Sequence, residues 1–323
     1  MFGPFVASAL LSPLDTAVAG VVAVVSAFVL GWPDGTAGTS AHLVRVLAVA
    51  VSSLMAYKLA CERTRREEKL VAVRRVAEAA QQAILRPLPK RVGRLGLVGR
   101  YVSATAEASV DGDFYEAVVT PWGARLVVGD VRGKGLEAVR LASALLGEFR
   151  SRAATEADFA DVVSRLDAAA SVAGGPEDFA TAILAQTTDE GLTVVRCGHP
   201  QPLRADSSGH VIELDIPGTL PLGLGACSAV AAPVALKGDQ RLLLDSDGAI
   251  ETRDAGGRYF NLAASLQRAR PLDADAAVQQ ILDDLGRHAG GVIGDDVVLV
   301  LAEPWRPGAS DTRPQQLKED SWP

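Results

Sequence analysis

The hydrophobic pattern divides the chain into a front and a body. From Thr16 to Trp32 no residue is charged, and Val and Ala dominate. A second apolar run, Ala41 to Ala60, has only Arg45 and Lys58 as charges, both near its ends, where long side chains can reach the interface. Either run, as a helix of roughly 20 residues, can cross a hydrocarbon core of about 30 Å. The link Pro33 to Ser40 contains Pro, Gly and one Asp, so a transmembrane helical hairpin is expected. A cleaved signal peptide fits less well, because the front has no basic start and a second apolar run follows.

Next comes Glu62-Arg63-Thr64-Arg65-Arg66-Glu67-Glu68-Lys69, with Arg74 and Arg75 beyond, whereas the loop between the two runs has no Lys or Arg. Positive flanks mark the cytoplasmic side. The expectation is a cell-membrane protein with two spans and everything after Cys61 in the cytoplasm. From Glu62 to Leu85 the spacing becomes helical, with Val73, Val76, Ala77, Ala80, Ala83 and Ile84 on one face. Arg86-Pro87-Leu88-Pro89 stops that helix. Its stripe suits either a plain linker or a homodimer contact, and it covers too few heptads to decide.

Beyond residue 90 strands and helices follow one another. Leu97 to Ala104 reads as a first strand. Ala117 to Thr120 and Arg125 to Val128 form a hairpin turned by Pro121-Trp122-Gly123. Helices are expected at Leu136 to Arg152 and Glu156 to Ala170, and later at Leu262 to Ala269 and Asp275 to His288. Strands are expected at Phe179 to Gln186, Leu192 to Cys197, Val211 to Leu214, Val230 to Leu236, Arg241 to Leu244 and Val297 to Leu301. Strands in antiparallel pairs with helices in separate blocks predict an α+β fold. The polar, Pro-rich end predicts disorder. The expected organisation is residues 1–60 as two spans, 61–90 as linker helix, 91–303 as the folded α+β domain and 304–323 as tail.

Composition narrows the function. The formal net charge of −7 gives no basic face for nucleic acid. The cysteines Cys61, Cys197 and Cys227 lack paired spacing, which fits a reducing compartment. Cys61, at the membrane boundary, is a palmitoylation candidate as well as a free thiol. Gly129 to Gly135 has glycine spacing too short for a nucleotide phosphate loop, and there is no G-x-S-x-G elbow.

Acidic residues gather at strand ends. Asp113 and Glu116 sit at the start of the hairpin and Asp130 at its finish. Asp245-Ser246-Asp247-Gly248 ends one strand and Asp295-Asp296 opens another. An antiparallel pair brings such ends together. Solvated loop acids are the bland explanation. However, so many like charges on one rim would repel without cations, and an all-oxygen set suits Mg²⁺ or Mn²⁺. Two such ions commonly attack phosphate esters with a bound water. His199, between Gly and Pro, reads as a residue shaping the rim rather than a ligand.

These residues resemble the metal-dependent PPM-type (type 2C-like) serine/threonine phosphatases, in the branch of stage II sporulation protein E. The resemblance rests on Asp111-Gly112-Asp113-Phe114-Tyr115-Glu116, on Gly129 to Gly135, and on Cys197-Gly198-His199-Pro200-Gln201-Pro202-Leu203. It continues through Pro221 to Leu224, Ser246-Asp247-Gly248 and Asp295-Asp296, covering roughly residues 80 to 302. It implies two stacked antiparallel β-sheets flanked by helices. By the same resemblance Asp113, Asp130, Asp247 and Asp295 hold two Mn²⁺ or Mg²⁺ ions, with the Val131 carbonyl as a further ligand. Asp296 is the alternative ligand in its pair, and Glu116 would hold a metal-bound water. The implied substrate is phosphoserine or phosphothreonine on a partner protein, an anti-sigma factor antagonist in many relatives, attacked by a metal-activated water. Three positions depart from the family pattern: Asp111 for Gly, Arg196 for Asn and Val298 for Thr. The competing reading is therefore a catalytically weak or inactive membrane-bound module that keeps the fold for partner binding.

Overall fold

The computed structural model describes residues 11–33, 35–103, 112–225 and 229–305, without the side chains of 74, 75, 77, 78, 80, 82 and 83. Asp111, Cys227, the Ala77, Ala80 and Ala83 side chains, and the tail from residue 306 lie outside it. The chain divides into two compact units, Met1–Val76 and Ala77–Pro323.

The first unit contains helix α1 (Pro13–Val29) and most of helix α2 (Ser40–Ile84). Ser12 caps α1, its hydroxyl accepting from the Asp15 N–H at 3.2 Å. Gly20 lies against Ser53, close enough that a Cβ would stand 3.0 Å from the serine's own, so small residues let the helices approach. Apolar side chains such as Val21, Val25, Leu47 and Val51 point outward. One helical stretch, Ser40–Val73, is long and apolar enough to cross a membrane, while α1 is apolar but has 17 residues. Helix α2 runs unbroken for 45 residues, through both the expected second span and the expected linker helix. Nothing between Ala41 and Leu85 is Gly or Pro, so no residue interrupts the backbone ladder.

The second unit is the expected sandwich. One sheet has the order β1 (Arg91–Val92), β2 (Leu95–Val102), β12 (Val297–Pro304), β11 (Arg241–Asp245), β7 (Leu203–Ala205), β8 (Val211–Glu213). The other runs β10 (Ala232–Ala235), β6 (Gly191–Cys197), β5 (Ala180–Thr187), β4 (Gly123–Val131), β3 (Phe114–Thr120), with the short β9 (Gly218–Thr219) parallel to β6. All other pairings are antiparallel.

Strand alternation builds three cores. Leu126, Val128, Ile183 and Val194 face Leu242, Leu244, Val298 and Val300 between the sheets. Val127, Leu184 and Val195 face outward onto helices α3 (Leu136–Thr155) and α4 (Phe159–Ala173), meeting Leu141, Leu145, Phe149 and Leu166. On the other side Leu243, Leu299 and Leu301 meet α6 (Leu262–Ala269) and α7 (Ala274–His288) through Leu266, Ile281 and Leu285. Each fully buried leucine contributes about 1.5–3 kcal/mol by leaving water.

Two local differences from expectation have physical reasons. Helix α4 starts at Phe159 rather than Glu156, because Asp158 caps it by accepting from the Ala160 N–H at 2.8 Å. Arg125 lies in the hairpin yet is fully buried. Its guanidinium donates to the Gln186 Oε1 and to the carbonyls of Ala153, Glu156 and Ala157, at 2.6–3.0 Å. Those carbonyls lie at and just past the end of α3, where a positive charge also complements the helix dipole. Replacing Arg125 with Met leaves these acceptors buried and unpaired, and should cost about 2–4 kcal/mol. The urea midpoint of the full chain in detergent measures it; a shift worth less than about 1 kcal/mol would show that the carbonyls find water instead.

Candidate active site

The acidic residues converge where the ends of the two sheets meet, each delivered by a different element. Asp113 directly precedes β3, and Asp130 is the penultimate residue of β4, opposite Thr181 of β5. Asp247 begins the short helix α5 (Asp247–Glu251), a turn after β11. Asp295 and Asp296 directly precede β12. Gly248 lets these last two elements meet: a Cβ there would fall 1.9 Å from the Asp296 carbonyl oxygen. Gly112 similarly approaches Val131, whose N–H donates to the Gly112 carbonyl at 3.4 Å.

Electrostatics ties Asp113, Asp130, Asp247 and Asp295 into one group. Burial, and then the Asp130 charge, hold the Asp113 carboxyl well above the usual carboxylate range, while the Ser246 hydroxyl, donating at 2.7 Å, opposes them. Asp130 is pushed up to about 7, first by burial and then by Asp247, with Asp295 adding to the shift. Asp247 is raised by burial, then by Glu251 and Asp295. Lys134 is the basic side chain at this rim, its Nζ 3.0 Å from the Asp295 Oδ1.

Of the two alternative residues, Glu116 is placed apart, whereas Asp296 lies close enough for its charge to raise Asp113 further. Glu116 lies inside β3 on the face opposite Asp113, since residues three apart on a strand point to opposite sides. It pairs with Arg150 of α3, whose Nε donates to the Glu116 Oε2 at 2.5 Å and whose other end donates to the Ile84 carbonyl at 2.9 Å. Asp296 is buried between the sheets. The Tyr101 hydroxyl donates to its Oδ2, Gln81 Nε2 reaches the same oxygen at 3.4 Å, and the Ser103 hydroxyl reaches Oδ1 at 3.4 Å. Its neighbour Asp295 is half-exposed and turned to the rim.

His199 shapes the rim, as its setting between Gly and Pro suggested. Its Nε2 donates to the Asp245 carbonyl at 2.9 Å, so its Nδ1 accepts from the Thr181 hydroxyl at 3.0 Å. The neutral ring thereby ties β5 to the end of β11, and burial lowers its pKa to about 4. The departures Arg196 and Val298 are both built into the fold. Arg196 donates to the Ile216 and His199 carbonyls at 3.0 and 2.9 Å, and Val298 fills the inter-sheet core.

Sequence reasoning missed Ser246 as the link to Asp113, Tyr101 and Gln81 as partners of Asp296, and Asp245, a buried carboxyl whose Oδ2 has no hydrogen-bond partner. Burial and Asp247 hold Asp245 well above the carboxylate range. Of these, only Asp245 carried a signal, an acid continuing the apolar run Leu242–Leu244.

The donor set is all oxygen, largely buried and mutually repelling, which fits hard divalent cations. Among the described residues, however, no three carboxylate, His or Cys groups converge tightly enough to chelate an ion as they stand.

The fold recurs in solved structures. The RsbU and RsbW domains of Rv1364c from Mycobacterium tuberculosis match with a TM-score of 0.60 at 22% identity, over 70% of this chain and 64% of that one. The SiaA-PP2C domain of Pseudomonas aeruginosa matches with 0.58 at 18%, over 76% and 99%. The PP2C phosphatase domain of SpoIIE from Bacillus subtilis, with a fragment of its regulatory domain, matches with 0.53 at 16%, over 66% and 64%. The present chain thus spans about two thirds of the length of two of these three structures. The two stacked sheets with their flanking helices are thus the fold of the PP2C phosphatase domains in these structures. Residues 120–304 match the stage II sporulation protein E (SpoIIE) family, and the chain belongs to it.

The neutral His199 sets a pH dependence. Its folded pKa lies below the ordinary 6.5, so under pH 6.5 the unfolded chain binds a proton that the folded chain refuses. The resulting stabilisation is complete above pH 6.5 and fades as pH falls toward 4, by about 3 kcal/mol in all. Urea titrations should therefore show the stability gap between wild type and His199→Gln narrowing by that amount from pH 7 to 4. A gap constant with pH would mean the ring is not held neutral.

Proposed function

We propose that this chain is a membrane-anchored phosphatase that hydrolyses phosphoserine or phosphothreonine on a partner protein. The observation carrying this reading is the set of four carboxylates on separate elements, Asp113, Asp130, Asp247 and Asp295, three of them raised above the usual carboxylate range by burial and by neighbouring carboxylates. Such a set is costly without cations and serves no packing purpose. These four, with the Val131 carbonyl, would hold two Mn²⁺ or Mg²⁺ ions. When bound, such ions supply an acidified water and neutralise charge on the phosphoryl oxygens.

The chain's own residues do the positioning. Ser246 fixes Asp113 and also accepts from the Val298 N–H at 3.0 Å, so one hydroxyl sets the distance between the sheets at the site. His199 fixes β5 against β11. Tyr101, Gln81 and Ser103 turn the Asp296 carboxylate inward, which supports Asp295 as the ligand of the pair. Glu116, engaged by Arg150, supports the hairpin rather than a water.

The resemblance points to an anti-sigma factor antagonist as the phosphorylated partner. Outward apolar side chains on α1 and α2 support two spans with the catalytic body cytoplasmic, and exposed Val73 and Val76 support a homodimer through α2. The departures at Asp111, Arg196 and Val298 leave a competing reading, a partner-binding module of the same fold with weak turnover. One variant decides between them. Asp130→Asn should lower Mn²⁺-dependent phosphate release from a phosphoprotein at least about a hundredfold, a few kcal/mol of barrier, while the metal-free melting temperature holds or rises because a repelling charge is gone. Wild-type turnover and metal response in this variant would remove the two-metal mechanism.

Topology is checked separately. With native cysteines removed, a cysteine at position 35 in the inter-helix link should react with an impermeant reagent on intact cells, and one at position 207 should not. The reverse pattern would sink the two-span model.

A further inference from the structure

We propose that Lys134 exchanges partners during the reaction: its ammonium holds Asp295 until metal enters, then receives the phosphoryl group of the substrate. This inference rests on the phosphatase reading and assigns that site a substrate-binding residue. Lys134 lies in the short loop between β4 and α3. Its Nζ is 3.0 Å from the Asp295 Oδ1, and both side chains are more than 40% exposed, at 43% and 44%. The flanking Gly133 and Gly135 adopt φ of +98° and +85°, with open space where each Cβ would stand. The lysine stem between them is flexible.

The neighbouring guanidinium groups have other work. Arg132 donates to the Glu177 carbonyl at 2.8 Å and lies over the Phe179 ring. Arg196 holds two backbone carbonyls, and Arg150 holds Glu116 and the Ile84 carbonyl. Among the described residues, Lys134 is thus the cation that the fold brings to the acidic rim.

A half-exposed ion pair is weak, so Nζ readily gives up an Asp295 oxygen required elsewhere. Once Asp295 is taken by a divalent cation, the ammonium faces added positive charge and is repelled. A phosphoryl dianion arriving at the same rim offers it a charge-assisted hydrogen bond, which a lysine makes as a point charge. Asp295 and the phosphoryl group would then use the same ammonium in turn, keeping the rim neutralised in both states. No covalent step is involved.

The test uses the full chain in detergent, with Lys134→Met and Lys134→Arg beside wild type. Titration calorimetry with Mn²⁺ alone reads the first half of the exchange. Lys134→Met should bind Mn²⁺ about threefold tighter, because an internal competitor is gone, and Lys134→Arg should bind it like wild type. Inhibition of the Mn²⁺-loaded enzyme by inorganic phosphate reads the second half. Its inhibition constant should rise at least about tenfold in Lys134→Met, with KM for the phosphoprotein rising more than kcat falls. Unchanged or weaker Mn²⁺ binding, or an unchanged phosphate constant, overturns the exchange. Wild type that neither binds Mn²⁺ nor releases phosphate overturns the phosphatase reading instead, so the two failures are distinct.

Discussion

Mutual repulsion among Asp113, Asp130 and Asp247 is the constraint to which the rest of the second unit answers. Each is withdrawn from water far enough for burial to be the first cause of its raised pKa, and each is raised further by another carboxylate. Left to themselves, such groups would push the sheet ends apart or take up protons. The sandwich resists because its central layer, with Leu126, Val128, Ile183, Leu244 and Val300, is a continuous apolar contact. Hydrophobic burial between the sheets thus holds the polar rim in a geometry that the rim itself opposes.

Neutral hydrogen-bonding groups then fix that geometry without adding charge. Ser246 joins Asp113 to the backbone of β12, and His199 joins Thr181 to the backbone of β11. A charged ring at position 199 would add a desolvation cost inside the same small volume, which is why its burial favours the neutral form. Tyr101 works in the same way on Asp296, supplying a hydroxyl instead of a cation. The cationic side chains Arg150 and Arg196 serve carbonyls and Glu116, and Arg125 serves carbonyls at the far end of β4. Lys134 is the exception, and its half-exposed pair with Asp295 lies where the rim opens to solvent.

Much of this was legible in the sequence. Alternation of apolar residues in β3, β4, β5 and β12, and the acids at their ends, were enough to predict an antiparallel α+β body with a carboxylate rim. The motif resemblance added the stacking of the sheets. Glu116 and Asp296 were less legible because a one-residue difference in where a strand begins changes which face a side chain takes. With β3 starting at Phe114, Asp113 faces the rim and Glu116 faces Arg150. The long-range partners were out of reach: Gln81 and Asp296 are 215 positions apart, and Tyr101 and Asp296 195 apart. No local period encodes such a pairing. The continuity of the second span with the linker helix was not legible in composition. A change from apolar to charged composition looks like a boundary, yet a helix ends where its backbone ladder is interrupted, and here that happens only near Pro87.

The position of Gln81 gives that continuous helix a chemical meaning. It is buried in the last turn of α2, where the Tyr101 hydroxyl also lies 3.0 Å from its Oε1. The end of the helix is therefore bonded to a carboxylate next to the proposed ligand Asp295. Arg150 adds a second tie, from the last residue of α2 to the hairpin that carries Asp113 and Asp130. The two ties use the Gln81 side chain and the Ile84 carbonyl, three residues apart, and lead to different sheets. The last turn of α2, from Gln81 to Ile84, is thus bonded both to the sheet that carries Asp296 and, through Arg150 and Glu116, to the sheet that carries Asp130. The repelling carboxylates of the rim are held from both sides by polar contacts that add no net charge to it.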